Sequence, residues 1–116
     1  MDSFFVNGYL WRIKRVPYAS PMLIEKTGTR TVATTDPITR TVYLLDTLEG
    51  SFFTTVLLHE LGHVVMFSYG LLDDVHRAVP RHLWTDAEEW VSNFIADYGV
   101  KFCLYICLRH SLSINQ

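Results

Sequence analysis

The segment from Phe52 to Tyr69 constrains the fold more than any other part of the sequence. It contains no proline, it is apolar over most of its length, and it stops at Gly70, a residue type that commonly follows the last turn of a helix. Gly50-Ser51, directly before it, is favourable for an N-cap. The sequence therefore predicts one long apolar helix over this segment.

Three residues interrupt the apolar character of this helix: His59, Glu60 and His63. They stand between Val56-Leu57-Leu58 and Val64-Val65-Met66, and polar groups in such surroundings are costly unless they are paired or bound to a metal. Residues four apart lie on one helix face, about 5.4 Å along the axis. The two histidines are either ordinary core or boundary residues or two ligands of one ion, and the cost of burial favours the second interpretation.

The H-E-x-x-H spacing of these residues suits catalytic zinc chemistry. His59 and His63 can both offer imidazole nitrogens to one tetrahedral ion, while Glu60, about 100° around the helix, can serve as general base for a water that zinc acidifies. Gly62 adds a second signal, because glycine costs roughly 1 kcal/mol relative to alanine inside a helix. We interpret it as a position where another backbone approaches between the histidines.

The first half of the chain predicts β-structure. Phe4–Val6 and Tyr9–Val16 flank Asn7-Gly8, a dipeptide that favours the type I′ turn of a hairpin. A second hairpin is predicted from Thr29–Thr35 and Thr39–Leu45, which are rich in threonine, valine, isoleucine and tyrosine.

The last part of the chain predicts a second helix. Thr85-Asp86-Ala87-Glu88 has the pattern of a capping box, and the helix that it opens is predicted to run to about Leu108 with a bend at Gly99. The predicted fold class is therefore α+β, a small antiparallel sheet followed by the H-E-x-x-H helix and a second long helix. A chain of 116 residues is expected to form a single domain, 1–116.

A catalytic zinc site needs a third protein ligand and an open position. Glu88 is assigned to the capping box. Glu89 aligns with Asn93 and Asp97 in a polar stripe, which is either a solvent face or the wall of a polar site. The residue pattern alone does not decide which downstream residue is the third ligand. The candidates are Asp73, Asp74, His76, His82, Asp86 and Glu89.

Two motifs in order give the chain a family resemblance. HELGHVV is followed, after a connection, by an E-x-x-S-N-x-x-A pattern that begins at Glu89. This order resembles the ImmA/IrrE family of small zinc metallopeptidases, and the resemblance covers roughly Thr39 to Ala96. It implies a minimal zincin-like domain in which His59, His63 and Glu89 bind Zn²⁺ and Glu60 is the general base.

The resemblance also implies a function, the hydrolysis of a peptide bond in a protein substrate such as a repressor-like regulator. Asn93, one turn beyond Glu89, is a candidate to orient a ligand. The alternatives are a catalytically inactive zincin-fold module that binds a partner protein and a small structural domain without metal. A peptidase also needs a hydrogen-bond donor that stabilises the oxyanion, and the sequence does not distinguish among the candidates Tyr98, His76, His82 and Arg77.

Composition bears on location and partners. The net charge of -2 predicts no nucleic-acid partner, and the apolar run Phe102–Leu108 is too short to span a bilayer. The N-terminus does not have the pattern of a signal peptide, so a cytoplasmic protein without membrane contact is expected. Cys103 and Cys107, inside that run, are interpreted as structural thiols rather than metal ligands.

Overall fold

The computed structural model describes residues 3–99, which form a four-stranded sheet and three α-helices. The strands and helices are β1 (Ser3–Val6), β2 (Tyr9–Val16), β3 (Ala33–Asp36), β4 (Thr41–Leu45), α1 (Gly50–Ser68), α2 (Leu72–Ala78) and α3 (Trp84–Phe94). Two 3₁₀ turns, Pro21–Leu23 and Arg81–Leu83, lie in the connections, and a π-helical turn, Ile95–Gly99, extends α3. The predicted α+β class is confirmed.

The sheet has the strand order β1-β2-β4-β3. Both predicted hairpins are present as antiparallel pairs, but β2 and β4 pair in parallel, with Arg12–Val16 beside Thr41–Leu45. The sheet is therefore mixed, where the sequence predicted an antiparallel one. The reason is that a turn fixes the direction of only the two strands it joins, whereas here the second strands of the two hairpins meet in the middle of the sheet.

The first hairpin turn has the predicted geometry. Asn7 and Gly8 adopt φ angles of 49° and 80°, both in the left-handed region that a type I′ turn requires. The Asn7 side chain also donates a hydrogen bond to the carbonyl oxygen of Ser68, 2.9 Å away, at the end of α1. The turn thus fixes one end of the sheet to the helix.

The hydrophobic core lies between one face of the sheet and α1. Trp11, Val42 and Leu44 on the sheet and Val64 on the helix are all 1% exposed or less. Complete burial of one such side chain contributes roughly 1.5–3 kcal/mol. This core holds α1 in a fixed position relative to β3, the strand at one edge of the described sheet.

Helix α1 agrees with the predicted apolar helix. It begins two residues before Phe52, at Gly50, so the predicted N-cap at Gly50-Ser51 is wrong: the N-cap is Glu49, whose side chain makes no capping hydrogen bond. After the C-cap Tyr69 comes Gly70, with a φ of 66°. Within residues 3–99, no single helix has both the length and the apolar composition of a membrane span; α1 and α2 reach them only as a pair bent by 95°.

The predicted capping box is wrong. Helix α3 begins at Trp84, so that Thr85 is already inside the helix, and the described residues provide no side-chain cap. The physical reason is that the preceding 3₁₀ turn, Arg81–Leu83, leads directly into the helix, while the Trp84 indole donates a hydrogen bond to the carbonyl oxygen of His76, 3.0 Å away. The predicted extension to Leu108 and the thiols of Cys103 and Cys107 lie outside the described residues.

Candidate metal centre

The two histidines of α1 point at the same place. Their Nε2 atoms are 3.3 Å apart, as expected for residues one helical turn apart whose side chains lean together. The side chains are mostly covered, with 21% of His59 and 16% of His63 exposed. Two imidazole nitrogens therefore converge at a partly covered position.

A carboxylate from α3 lies directly opposite the two histidine nitrogens. One oxygen of Glu89 is 3.0 Å from His59 Nε2, and the other is 3.1 Å from His63 Nε2. The Glu89 side chain is 47% exposed, so this side of the site faces solvent. The structure thus brings together two residues of the first motif with the glutamate that begins the second motif.

Asn93 determines the orientation of one imidazole. Its Oδ1 is 2.7 Å from His59 Nδ1, and an amide oxygen at this distance requires the ring hydrogen to be on Nδ1. In that tautomer the lone pair of His59 is on Nε2, the atom that faces Glu89. Such outer partners fix the tautomer and ring direction of histidine ligands.

Glu60 forms the buried side of the site. Only 6% of the residue is exposed, and its Oε1 accepts a hydrogen bond of 2.8 Å from the Thr35 hydroxyl on β3. Its other oxygen, Oε2, is 3.8 Å from His59 Nε2. The ligand atoms of His59, Glu60 and His63 lie within 4.8 Å of one another, so this group could hold a metal ion.

Gly62 allows the two helices to approach closely. A Cβ atom at this position would lie 2.9 Å from Ser92 Cα, a backbone atom that cannot move aside. The prediction that another backbone approaches at Gly62 is therefore confirmed. The buried Ser92 hydroxyl has no hydrogen-bond partner within residues 3–99. This close contact brings α3, and with it Glu89 and Asn93, within reach of the histidines.

The charges of the site are strongly coupled. Hydrogen bonding to His59, and next to His63, holds the pKa of Glu89 well below its usual range. Hydrogen bonding to Glu89 raises the pKa of His59, and the nearby Glu60 carboxylate acts in the same direction, although burial opposes both. Burial raises the pKa of Glu60, and the hydrogen bond from Thr35 opposes this shift. His59, Glu60 and Glu89 therefore influence one another's charge.

The donor set is of a kind that can hold a divalent metal ion, zinc among them. In a tetrahedral site with ligand distances of about 2.0–2.2 Å, neighbouring ligand atoms are roughly 3.3–3.6 Å apart. The two Nε2 atoms are 3.3 Å apart, at the lower end of this range, and two different Glu89 oxygens face them at 3.0 and 3.1 Å, slightly below it. Two imidazoles and one carboxylate are also a ligand set found in catalytic zinc sites.

Two carboxylates border the histidines, and their surroundings differ. Each oxygen of Glu89 faces one imidazole nitrogen, whereas one oxygen of Glu60 is already bonded to Thr35. Glu88, which sequence reasoning assigned to a cap, instead points towards α2, where Oε2 is 3.4 Å from His76 Nε2 but poorly aligned for a hydrogen bond.

Sequence reasoning missed one residue of the site, Thr35. Nothing in the threonine-rich segment of the second hairpin distinguishes Thr35 from its neighbours, because its role depends on how β3 lies against α1. Three of the oxyanion candidates have contacts elsewhere. His76 stacks on Trp84, and Tyr98 packs against Phe94. The Arg77 guanidinium donates a hydrogen bond to Asp74 Oδ1, 2.7 Å away.

No protein-family model matches the chain, and neither a curated protein nor a solved structure matches it. The site defines a class, an α+β domain with a group of side chains that could hold a metal ion. The resemblance to the ImmA/IrrE family rests on the two sequence motifs and remains a prediction.

Proposed function

We propose that this chain is a zinc-dependent peptidase that resembles the ImmA/IrrE family and cleaves a peptide bond in a protein substrate. The observation that carries the proposal is the convergence of His59 Nε2, His63 Nε2 and the Glu89 carboxylate within 3.0–3.3 Å of one another. These three residues are the proposed ligands. A zinc ion held by them supplies Lewis acidity towards a water molecule and a peptide carbonyl.

Glu60 is the proposed general base. It lies beside the ligands rather than among them, with Oε2 3.8 Å from His59 Nε2. Burial raises the pKa of its carboxyl group, which is the direction that improves a carboxylate as a base near neutral pH. In the proposed reaction Glu60 takes one proton from the attacking water, whose oxygen bonds to the carbonyl carbon. The same proton passes to the leaving amine as the C–N bond breaks.

The environment of the ligands supports a catalytic rather than a purely structural site. Structural zinc sites use four protein ligands, whereas catalytic sites use three and keep a position open. Here three ligands are proposed, and the 47% exposed side chain of Glu89 is consistent with an open position on the solvent side. Asn93 supports the arrangement by holding His59 in the tautomer with a free Nε2 lone pair.

The test compares wild-type protein with Glu60→Gln. Both proteins are prepared without chelator, their zinc, iron and manganese contents are measured by elemental analysis, and both are incubated with a pool of quenched fluorescent peptides. We expect one zinc ion per chain in both proteins. We expect the variant to lose about 10²–10⁴-fold in the rate of hydrolysis, because glutamine cannot accept the proton.

Three results would change this interpretation. A metal content near zero that added zinc does not restore would remove the metal centre. Iron in place of zinc would favour oxygen chemistry, since two histidines and one carboxylate also bind ferrous iron. Zinc in both proteins with no hydrolysis by either would favour the inactive zincin-fold module that binds a partner protein.

A further inference from the structure

The proposed base is held by a residue from a different part of the fold. The Thr35 hydroxyl is 2.8 Å from Glu60 Oε1 and 3.5 Å from the Glu60 carbonyl oxygen. The shorter distance is that of a good hydrogen bond between a hydroxyl and a carboxylate, and the longer one is at the outer limit. Thr35 therefore donates to the carboxylate, and it does so within a part of the structure where Glu60 is only 6% exposed.

This hydrogen bond distinguishes the two oxygens of Glu60. Oε1 is occupied by Thr35, while Oε2 faces His59 Nε2 at 3.8 Å. A carboxylate that is free to rotate about its last bond would present either oxygen, because the terminal torsion of glutamate is broad. With Oε1 fixed, only Oε2 is presented to the metal centre, in a single direction.

The position of Thr35 in its strand explains why it reaches the helix. Successive side chains of a strand point to opposite faces of the sheet. Ala33 is buried in the core beneath α1, so Thr35, two residues on, points to the same face. The intervening Thr34 points to the other face, where its hydroxyl donates to the carbonyl oxygen of Met22, 2.7 Å away.

We propose that Thr35 is a positioning residue, which orients Glu60 for its work as a base by fixing Oε1 and directing Oε2 towards the histidine pair. This inference rests on the proposed peptidase function and adds to it a role for β3. The scaffold is suitable, because a strand paired with its neighbour holds a side chain more precisely than a loop does. A misplacement of the base by about 1 Å is enough to cost on the order of 10²-fold in rate.

The experiment uses three single variants of the zinc-loaded protein and one double variant. Thr35→Val removes the hydroxyl and keeps the shape, Thr35→Ser keeps the hydroxyl, and Thr34→Val removes a neighbouring hydroxyl on the opposite face. The double variant combines Thr35→Val with Glu60→Gln. Zinc content, kcat and KM are measured on the quenched peptide that the wild-type protein cleaves fastest.

We expect Thr35→Val to lower kcat by about 10- to 100-fold, with zinc content and KM close to wild type. Thr35→Ser should restore most of the rate, and Thr34→Val should retain it. The double variant should be no slower than Glu60→Gln alone, because a residue that acts only through the base has nothing to position once the base is gone.

The failure of this inference is distinguishable from the failure of the proposed function. If Glu60→Gln is inactive but Thr35→Val is as fast as wild type, the positioning role is wrong and the peptidase remains. If Thr35→Val instead loses zinc, or slows the Glu60→Gln protein further, Thr35 supports the structure in general rather than the base. A zinc-loaded wild-type protein that cleaves nothing overturns both proposals.

Discussion

Helix α1 makes polar contacts with the sheet at two junctions, and these two junctions differ in how completely their polar atoms are paired. At the closed junction, near the end of the helix, the buried indole of Trp11 donates to the Ser68 hydroxyl and the Asn7 amide donates to the Ser68 carbonyl oxygen, both at 2.9 Å. At the open junction, in the middle of the helix, Thr35 donates to only one oxygen of Glu60.

We interpret the closed junction as a structural contact and the open junction as part of the candidate metal centre. Buried polar groups in native proteins are nearly always paired, and each group without a partner calls for an explanation. The closed junction needs none. At the open junction, Glu60 Oε2 and the Nε2 atoms of His59 and His63 converge on one position. The two Nε2 atoms already face the Glu89 oxygens, and a cation at that position would also give the second Glu60 oxygen a partner.

The largest expected effect concerns the ligands at the open junction. Glu89→Ala should lower zinc affinity by more than the roughly 10- to 100-fold that the loss of an outer partner costs, because it removes one of the three proposed ligands. The matched control is Glu88→Ala, which removes the adjacent carboxylate of the same helix. Within residues 3–99, Glu88 forms an ion pair with His76 and none with the histidines of α1, so this variant should keep wild-type zinc affinity and lose at most about 1 kcal/mol of stability.

Zinc affinity is measured by competition with a chromophoric chelator, and stability by urea denaturation. Equal losses of zinc in the two variants would show that the ligand has been assigned to the wrong carboxylate. A normal zinc affinity in Glu89→Ala would favour Glu60 as the third ligand.

An intermediate effect is expected at the closed junction. Ser68→Ala leaves the buried Trp11 indole without an acceptor, which should lower the free energy of unfolding by about 1–3 kcal/mol. Zinc stoichiometry should be unchanged, since the contact is structural. Combining Ser68→Ala with Trp11→Phe removes both partners, and the double variant should lose less than the sum of the single changes. Additive losses, or a fall in zinc content, would contradict this separation of the two junctions.

The smallest expected effect is at Gly62. Alanine there favours the helix by roughly 1 kcal/mol, but its Cβ would be 2.9 Å from the backbone of Ser92, and such overpacking costs about 1–3 kcal/mol. We expect a net loss of about 1 kcal/mol together with weaker zinc binding, because α3 carries Glu89. Gly99→Ala is the control, since no atom of residues 3–99 lies within 4 Å of its new Cβ. A Gly62→Ala protein as stable as this control would mean that the helices separate without cost.

Local signals in the sequence predicted most of the elements. The apolar run without proline gave α1, and Asn7-Gly8 gave a turn with the left-handed φ angles that it requires. The spacing of His59 and His63 places two side chains on one face of any α-helix, so their convergence depends on little else. Such features are fixed by residues close together in the chain.

Features that depend on distant residues were predicted poorly. The parallel pairing of β2 and β4, the start of α3 at Trp84 and the contact of Thr35 with Glu60 all depend on how complete elements dock. Alternation along β3 indicates which side chains share a face, but not which helix residue they meet. Glu89 was identified from the order of two motifs that lie on two different helices, and its role as a ligand stays a prediction.

The connection between the two helices of the metal centre has a consequence for ion affinity. His59 and Asn93 are 34 positions apart, and the only α-helix between α1 and α3 is α2, none of whose residues is buried. Segments with so few buried contacts open first in native-state fluctuations. An ion that ties the two helices together restricts this loop much as a covalent cross-link would, so part of its binding free energy is offset by lost chain entropy. The exposure of α2 would thus help to set how tightly a bound ion is held, although α2 supplies none of the proposed ligands.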